Sequence, residues 1–261
     1  MSGSCALVTG ASAGIGEEFA RQLARDGRGL VLVARNQARL VELAEQLRGD
    51  HGVGVEVLPA DLGDDAGLAK VQQRLDDAAV PVELLVNNAG YTTYGTFTDL
   101  PIEGEVGQVH LHVRAAVQLT HAAARNMRSR RRGGVINVSS AASFQPGPGL
   151  ATYTATKAFL MSFSESLHEE LRADGVTVTC VCPGFTRTEL QQRAQVDMSH
   201  LPGPRWQSAD EVARVGLAGH ARGRALVVPG AINRAMAVAS RFTPRPVSRR
   251  LAARLLQRRD G

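Results

Sequence analysis

Short apolar runs alternate along the chain with longer segments in which apolar residues recur at helical spacing. The runs contain few polar positions, as in "GLVLVA" at 29–34 and "VELLVN" at 82–87. Such continuous hydrophobicity is typical of strands that are buried on both faces of a parallel sheet. The predicted strands are 5–9, 30–34, 53–58, 83–87, 134–139, 176–182 and 224–229, and the predicted helices are 14–26, 36–49, 64–78, 101–128, 152–173 and 208–221. Alternating strands and helices predict an α/β fold, a doubly wound parallel sheet of about seven strands with helices on both faces.

The length of the chain favours a single large core. A sequence of 261 residues with 44% hydrophobic residues is typical of one α/β domain. We expect this domain over residues 1–230, followed by a basic C-terminal extension over residues 231–261 that is helical. Residues 185–207 are a long segment between a predicted strand and a predicted helix. Long loops in compact α/β domains are usually functional, so we interpret this segment as a lid.

The positive charge is concentrated at one end of the chain. The net charge is +5, but residues 222–261 hold ten arginines and one acid, Asp260, which leaves 20 basic and 24 acidic side chains elsewhere. Because the excess lies in one terminal segment and aromatic residues are few, the composition does not indicate a nucleic-acid-binding surface.

The basic extension also carries an apolar stripe, since Val247, Leu251 and Leu255 recur every four residues among its arginines. A basic amphipathic helix of this kind could contact an anionic membrane surface. A helix docked over the pocket or over a subunit interface is the favoured alternative, because the stripe is short. No apolar run approaches the roughly 18 residues of a spanning helix, and the N-terminus lacks the pattern of a signal peptide. We therefore expect a soluble, cytoplasmic protein.

A glycine-rich turn, "TGASAGIG" at 9–16, directly follows the first predicted strand and opens the first predicted helix. Glycines allow the backbone to turn tightly and to approach a pyrophosphate, which then lies at the positive end of the helix. In this context of strand, turn and helix the motif predicts a Rossmann-like dinucleotide site.

The second predicted strand indicates which dinucleotide binds. NAD sites usually place an acid at the end of this strand to accept the ribose hydroxyls, whereas this chain has Ala34 and Arg35 and no acid before Glu42. An arginine at this position suits a 2′-phosphate. The sequence therefore predicts NADP(H), and the alternative is an exposed loop arginine in an arginine-rich protein.

Three residues with acid–base chemistry follow the fifth predicted strand. Tyr153 and Lys157 are four residues apart, so they share one face of a helix, and Ser140 lies just past the end of the strand. A tyrosine normally titrates near pH 10, which is too high for acid–base work at neutral pH. A neighbouring ammonium stabilises the phenolate, so we expect Lys157 to lower the pKa of Tyr153.

Four motifs occur together and in order: "TGASAGIG" at 9–16, "NNAG" at 87–90, the set Ser140, Tyr153 and Lys157, and "PGFTRT" at 183–188. In these motifs the chain resembles the short-chain dehydrogenase/reductase family over roughly residues 4–230. The "VVPG" strand and the arginine-rich tail resemble a bacterial branch of that family.

The resemblance implies an oxidoreductase in which Tyr153 exchanges a proton with the substrate oxygen, Ser140 holds that oxygen, and Lys157 binds the nicotinamide ribose. No metal is implied. The residues implied to contact the cofactor are Gly10, Ser12, Gly14, Ile15, Gly16, Arg35, Asp61, Leu62, Asn88, Gly90, Tyr153, Lys157, Pro183, Thr186 and Thr188. Asn87 matches a position that is more often structural and ties neighbouring strands together.

The chain departs from the family pattern at one position, where "LHVRA" places His112 at the usual asparagine of the proton path. We hypothesise that the enzyme remains active and that charging of His112 at low pH repels Lys157 and slows the reaction, with an inflection between roughly pH 6 and 7. The alternative is a histidine that fills the space of the asparagine. An alternative interpretation of the whole chain is that it is an NADPH-binding sensor or scaffold with little catalytic activity.

The expected substrate is a small carbonyl or alcohol compound, moderately hydrophobic, bound between the segments 91–98, 143–151 and 185–207 with Met198, Leu201 and Trp206. The resemblance also implies a homodimer or homotetramer that pairs through the helices after the fourth and fifth strands.

Overall fold

The computed structural model describes residues 4–187, 206–244, 246–247 and 249–250. Seven parallel strands form one sheet: β1 Cys5–Thr9, β2 Gly29–Ala34, β3 Val55–Pro59, β4 Val82–Asn87, β5 Gly133–Val138, β6 Val176–Val181 and β7 Leu226–Val227. Their spatial order is β3-β2-β1-β4-β5-β6-β7. The strand order reverses between β1 and β4, and in doubly wound sheets such a switch point opens a ligand crevice at the carboxyl ends. The predicted fold class is confirmed.

The α-helices are α1 Gly14–Arg25, α2 Gln37–His51, α3 Asp65–Leu75, α4 Ile102–Val109, α5 Ala116–Ser129, α6 Ala151–Arg172, α7 Ala209–Ala221 and α8 Ala231–Phe242. Two short 3₁₀ helices, Phe97–Asp99 and Ala141–Phe144, precede α4 and α6. The prediction of one continuous helix over 101–128 is wrong, because a π-helical segment, His110–Ala115, separates α4 from α5. Apolar spacing does not reveal one extra residue in a turn, so the sequence pattern could not show this interruption.

Both faces of the sheet are buried. The neighbouring β1 residues Leu7 and Val8 enter two separate apolar clusters, one beneath α3 and α5 and the other beneath α1, α2 and α7. Both residues have no exposed surface. This double burial explains why the strand sequences read as continuous apolar runs.

Only part of the basic extension lies in the described residues. Helix α8 buries Ala237 and leaves Ile232, Met236 and Phe242 exposed. Of the predicted apolar stripe, Val247 is described and exposed, whereas Leu251 and Leu255 lie outside the described residues. Within the described part of the chain, the helices are too short or too polar to span a bilayer.

Candidate active site

The glycine-rich turn lies at the carboxyl end of β1 and leads into α1. Gly10 and Gly14 have φ angles of +66° and +58°, in the left-handed region that favours glycine. A Cβ atom on Gly16 would lie 2.3 Å from the carbonyl oxygen of Gly10. The three glycines are therefore required by the backbone geometry of the turn, before any ligand is considered.

The N-terminus of α1 has no side-chain cap, because Ala13 occupies the capping position. In contrast, Asn36 and Asp64 cap α2 and α3 through their side chains. The first N–H groups of α1 are thus available to an anion, which suits a pyrophosphate. Ser12 and Ile15 belong to the same turn and are partly exposed.

Asn88 joins the turn to the end of β4. Its side-chain amide donates to the carbonyl oxygen of Thr9 at 3.1 Å, and its backbone N–H donates to the hydroxyl of Thr9 at 2.9 Å. The side-chain amide of Asn87 donates to Asn137 at 2.9 Å across the β4–β5 pair. The prediction that Asn87 ties neighbouring strands together is confirmed, and Asn88 holds the glycine turn in place.

Arg35 lies at the end of β2 with 73% of its side chain exposed, and its guanidinium lies 3.6 Å from a carboxylate oxygen of Asp61. Both groups are exposed, so this ion pair is weak and the arginine remains able to bind another anion. Leu62, which follows Asp61, is buried. The structure thus places Arg35 and Asp61 together on one side of the crevice.

Ser140, Tyr153 and Lys157 come together at the carboxyl end of β5. Tyr153 and Ser140 are in hydrogen-bonding contact. The ammonium of Lys157 donates to the carbonyl oxygen of Val138 at 3.0 Å and lies 5.7 Å from the centre of the Tyr153 ring. Ser139 donates to the carbonyl oxygen of Lys157 at 2.7 Å, which ties α6 to the strand end.

The electrostatics of this group differ from the sequence-based expectation. Burial raises the pKa of Tyr153, and the hydrogen bond with Ser140 opposes this rise. Burial also lowers the pKa of Lys157 from 10.5 to about 8. The expectation of a lowered tyrosine pKa is wrong for this structure, because loss of water around the phenolate outweighs its favourable contacts.

His112 is buried in the π-helical segment beside these residues. Burial, and then the charge of Lys157, lower its pKa well below 6.5. The direction of this shift contradicts the hypothesis that His112 gains charge between pH 6 and 7, because burial and the nearby ammonium both favour the neutral ring. His112 lies close enough to Lys157 for the charge of the ammonium to act on its ring.

Two of the three predicted pocket walls are joined to each other by a backbone hydrogen bond. The N–H of Gly95 donates to the carbonyl oxygen of Gly149 at 3.1 Å, which joins the segments 91–98 and 143–151. The carbonyl oxygen of Pro183 accepts from the N–H of Ala141 at 2.8 Å, so the Pro-Gly turn borders the Ser140 turn. The buried Thr186 forms a short parallel bridge with Gln207. Thr188, Met198 and Leu201 lie outside the described residues, and Trp206 lies 5.9 Å from Phe185 between ring centres.

Several residues that shape the site were not predicted. Thr93 donates to the carboxylate of Glu105, and the amide of Gln108 donates to Thr93 at 2.8 Å. Glu105 and Gln108 are buried, so they fix the loop after β4 to α4. The hydroxyl of Thr156, which is also buried, lies within hydrogen-bonding distance of the His112 ring. Polar residues in a helix usually lie on a face that is exposed to solvent. These side chains are buried instead, and only their hydrogen-bond partners in the folded protein show this.

A family model described as short chain dehydrogenase matches residues 4–199. The chain belongs to the short-chain dehydrogenase family, whose members use nicotinamide cofactors and act on small molecules.

Three known proteins illustrate the similarity. A very-long-chain 3-oxoacyl-CoA reductase of Laccaria bicolor is 36% identical over 217 residues, which cover 82% of this chain and 64% of that protein. The chain thus spans less than two thirds of that relative's length. A short-chain dehydrogenase from Sphingobium yanoikuyae, solved in complex with NADPH, is 37% identical with a TM-score of 0.84 and covers 92% of this chain and 93% of its own. A bulky-bulky ketone specific alcohol dehydrogenase from Comamonas testosteroni is 32% identical with a TM-score of 0.79, covering 92% of both chains.

Proposed function

We propose that the protein is an NADP(H)-dependent oxidoreductase that transfers a hydride between nicotinamide and a carbonyl or secondary alcohol. One observation carries this proposal: Tyr153 contacts Ser140 at the carboxyl edge of the sheet, with Lys157 one helical turn further along α6. The same edge holds the glycine-rich turn with its uncapped helix. A proton donor therefore stands beside a site that is suited to a dinucleotide.

Tyr153 is the proposed general acid. NADPH held by the glycine-rich turn and Arg35 would supply the hydride that goes to the carbonyl carbon. Tyr153 gives its phenolic proton to the carbonyl oxygen during reduction and regains a proton during oxidation. Because burial raises its pKa, the phenol keeps its proton at neutral pH, which is the form that reduction requires.

Ser140 and Lys157 support this proton transfer. The Ser140 hydroxyl oxygen accepts from the N–H of Ala142 at 3.1 Å, so its own proton can be donated to the substrate oxygen or to Tyr153. Lys157 uses one N–H on Val138, and an ammonium has three donors, which leaves donors for ribose hydroxyls. A pKa of about 8 keeps this lysine mostly charged at neutral pH.

The preference for NADP(H) is supported by Arg35. This arginine is exposed at the end of β2, where the chain carries no acid that could bind the ribose hydroxyls of NAD. The similar dehydrogenase from Sphingobium yanoikuyae was solved with NADPH. The residues that we assign to cofactor binding are Gly10, Ser12, Gly14, Ile15, Gly16, Arg35, Asp61, Leu62, Asn88, Gly90, Tyr153, Lys157, Pro183, Thr186 and Thr188.

The proposed substrate is a bulky, moderately hydrophobic ketone, the corresponding alcohol, or a 3-oxoacyl thioester. Phe185 and Trp206 place two neighbouring aromatic rings next to the Pro-Gly turn, and Tyr94 lies against Gly149. Aromatic side chains at the site suit an apolar body that carries one carbonyl. The names of the relatives from Laccaria bicolor and Comamonas testosteroni describe substrates of these two kinds.

The deciding experiment measures NADPH oxidation with a panel of aryl ketones, diketones and 3-oxoacyl thioesters of increasing chain length. We expect turnover of at least one compound, and a dissociation constant for NADPH well below that for NADH. Tight NADPH binding without turnover of any carbonyl would instead favour a sensor or scaffold. Equal affinity for the two cofactors would overturn the assignment of Arg35.

We further propose that the protein forms a dimer or tetramer, in keeping with the usual behaviour of the family. Helix α4 exposes Ile102, Val106 and Val109, and on α6 the exposed Phe159 stacks on Phe163 with 5.6 Å between ring centres. Contiguous exposed apolar side chains of this kind commonly mark interfaces. Light scattering of the protein and of a Val106→Glu variant tests this assignment, and a monomeric wild-type protein would contradict it.

A further inference from the structure

The His112 ring connects two elements that are far apart in sequence. The backbone N–H of Tyr91 donates to Nε2 of His112 at 3.2 Å. On the other side of the ring, Nδ1 lies 2.9 Å from the hydroxyl oxygen of Thr156. Because Nε2 accepts a hydrogen bond, the neutral ring carries its proton on Nδ1 and donates to Thr156. The hydroxyl of Thr156 in turn donates to the carbonyl oxygen of Tyr153 at 2.8 Å.

The surroundings of the ring leave it little freedom. Only 2% of the His112 surface is exposed, and the ring meets Tyr153 edge-on at 5.9 Å between ring centres. A Cβ atom on Gly90 would lie 2.8 Å from Nε2 of His112 and 3.7 Å from the ammonium of Lys157. The imidazole therefore fills the space between the segment that follows β4 and the face of α6 that carries Tyr153 and Lys157.

The groups that face the ring also favour its neutral form. Lys157 and Tyr153 face it from α6, and Tyr91 faces it from the loop after β4. A proton on Nε2 would oppose the N–H of Tyr91 and would lie near the Lys157 ammonium. The ring thus offers one fixed acceptor and one fixed donor.

We propose that His112 is a positioning residue, which clamps the backbone of Tyr91 to Thr156 and so holds Tyr153 and Lys157 in their working arrangement. The catalytic part of this inference rests on the proposed function. Thr156 lies between Tyr153 and Lys157 on α6, so a tether at Thr156 fixes both side chains relative to the crevice at Gly90. His112 acts through these residues and takes no part in proton transfer itself.

Two substitutions test separately the two hydrogen bonds of the His112 ring, the one from the N–H of Tyr91 and the one to Thr156. The side-chain amide of His112→Asn can imitate the Nδ1 donor to Thr156 but is too short to reach the N–H of Tyr91. The side-chain oxygen of His112→Gln can imitate the Nε2 acceptor. His112→Phe removes both hydrogen bonds. Thr156→Val removes the partner on α6, and Thr156→Ser keeps its hydroxyl.

The matched control is Thr154→Val. Thr154 lies on the same helix, is buried, and donates to a carbonyl three residues earlier, as Thr156 does, but it has no bond to His112. For His112→Phe and Thr156→Val we expect kcat to fall by roughly 10- to 100-fold, since a displacement of about 1 Å can cost about 100-fold. The dissociation constant for NADPH should change little. Thr156→Ser should restore most of the rate, and Thr154→Val should behave like the wild type.

The double variant His112→Phe/Thr156→Val provides a second test. If the two residues act through one hydrogen bond, the double variant should be no slower than His112→Phe alone, because effects within one network are not additive. Losses of rate that multiply in the double variant would overturn the clamp. Wild-type rates in both His112→Phe and Thr156→Val would overturn it as well.

An NMR measurement tests the clamp without any turnover. In protein with ¹⁵N-labelled histidine, the His112 signals, assigned by their loss in His112→Asn, should show a protonated Nδ1 and an unprotonated Nε2. We expect these signals to stay constant between about pH 5.5 and 8, where an ordinary histidine titrates. A proton on Nε2, or a titration in this range, would overturn the inference. If the wild type binds NADPH with this tautomer but reduces no carbonyl, the proposed function fails and the clamp stands as a structural tether.

Discussion

The ammonium of Lys157 lies 5.7 Å from the centre of the Tyr153 ring and is held from the strand side by a 3.0 Å hydrogen bond to the carbonyl oxygen of Val138. This bond fixes a buried cation between α6 and the end of β5. Tyr153 lies on the same helix face and contacts Ser140. Tyr153 and Lys157 therefore have a defined geometry, and burial raises the pKa of the tyrosine and lowers the pKa of the lysine.

Tyr153→Phe should reduce kcat by about 10²- to 10⁴-fold, which is the range of general acid–base catalysis. The phenylalanine ring retains the packing, so the dissociation constant for NADPH should stay near the wild-type value. NADPH absorbance measures the rate, and fluorescence titration measures the binding. Ser166→Ala is the control, because it removes an exposed hydroxyl from the same helix. An unchanged rate in Tyr153→Phe would show that another group supplies the proton.

Arg35→Ala should weaken NADPH binding by about 1.5 to 3 kcal/mol, roughly 10- to 100-fold, because a charge-assisted contact with the 2′-phosphate is lost. Binding of NADH should change little, since it lacks this phosphate. Arg132→Ala is the control, because Arg132 is similarly exposed and pairs with Glu83, near the opposite end of β4. Calorimetric titration with both cofactors measures the effect. A parallel loss of NADH affinity would point to a general effect of charge.

Lys157 should make the stability of the protein depend on alkaline pH. Its pKa is lowered from 10.5 to about 8 in the folded protein, so the unfolded state binds more protons between these values. The free energy of unfolding contributed by this group therefore rises with pH from about 8 to 10.5, by up to about 3 kcal/mol.

Urea unfolding at several pH values in this range measures the dependence, and Lys157→Met should remove this contribution. Lys70→Met is the control, because Lys70 is an exposed lysine that also donates to a carbonyl oxygen, that of Pro59. If the wild type and Lys157→Met show the same dependence on pH, Lys157 is not desolvated as the structure indicates.

Gly90→Ala should displace the His112 ring, because the added Cβ atom would lie 2.8 Å from Nε2 of His112. We expect kcat to fall by roughly 10-fold or more as the site is distorted. Gly49→Ala is the control, since a Cβ atom there meets nothing within 4 Å. That helix substitution should raise the stability by about 0.5 to 1 kcal/mol and leave the rate unchanged. Wild-type turnover in Gly90→Ala would mean that the ring moves without disturbing Tyr153 and Lys157.

The sequence by itself determined the order of strands and helices, the glycine-rich turn, and the helix that carries Tyr153 and Lys157. These features depend on local properties, namely the run length of apolar residues, the backbone freedom of glycine, and the four-residue spacing along a helix. The structural role of Asn87 could also be predicted, because its motif is specific.

The tertiary structure alone decided the protonation of the site. His112 receives its hydrogen bond from Tyr91, 21 residues away, and donates to Thr156, 44 residues away, so its tautomer could not be predicted from its neighbours in the chain. The pKa values of Tyr153 and Lys157 shift in the directions set by burial, which the sequence does not state. The π-helical turn that presents His112 likewise required the packed structure. Contacts between distant elements and the loss of water exist only once the chain is folded, which is why the positions were predictable and their charges were not.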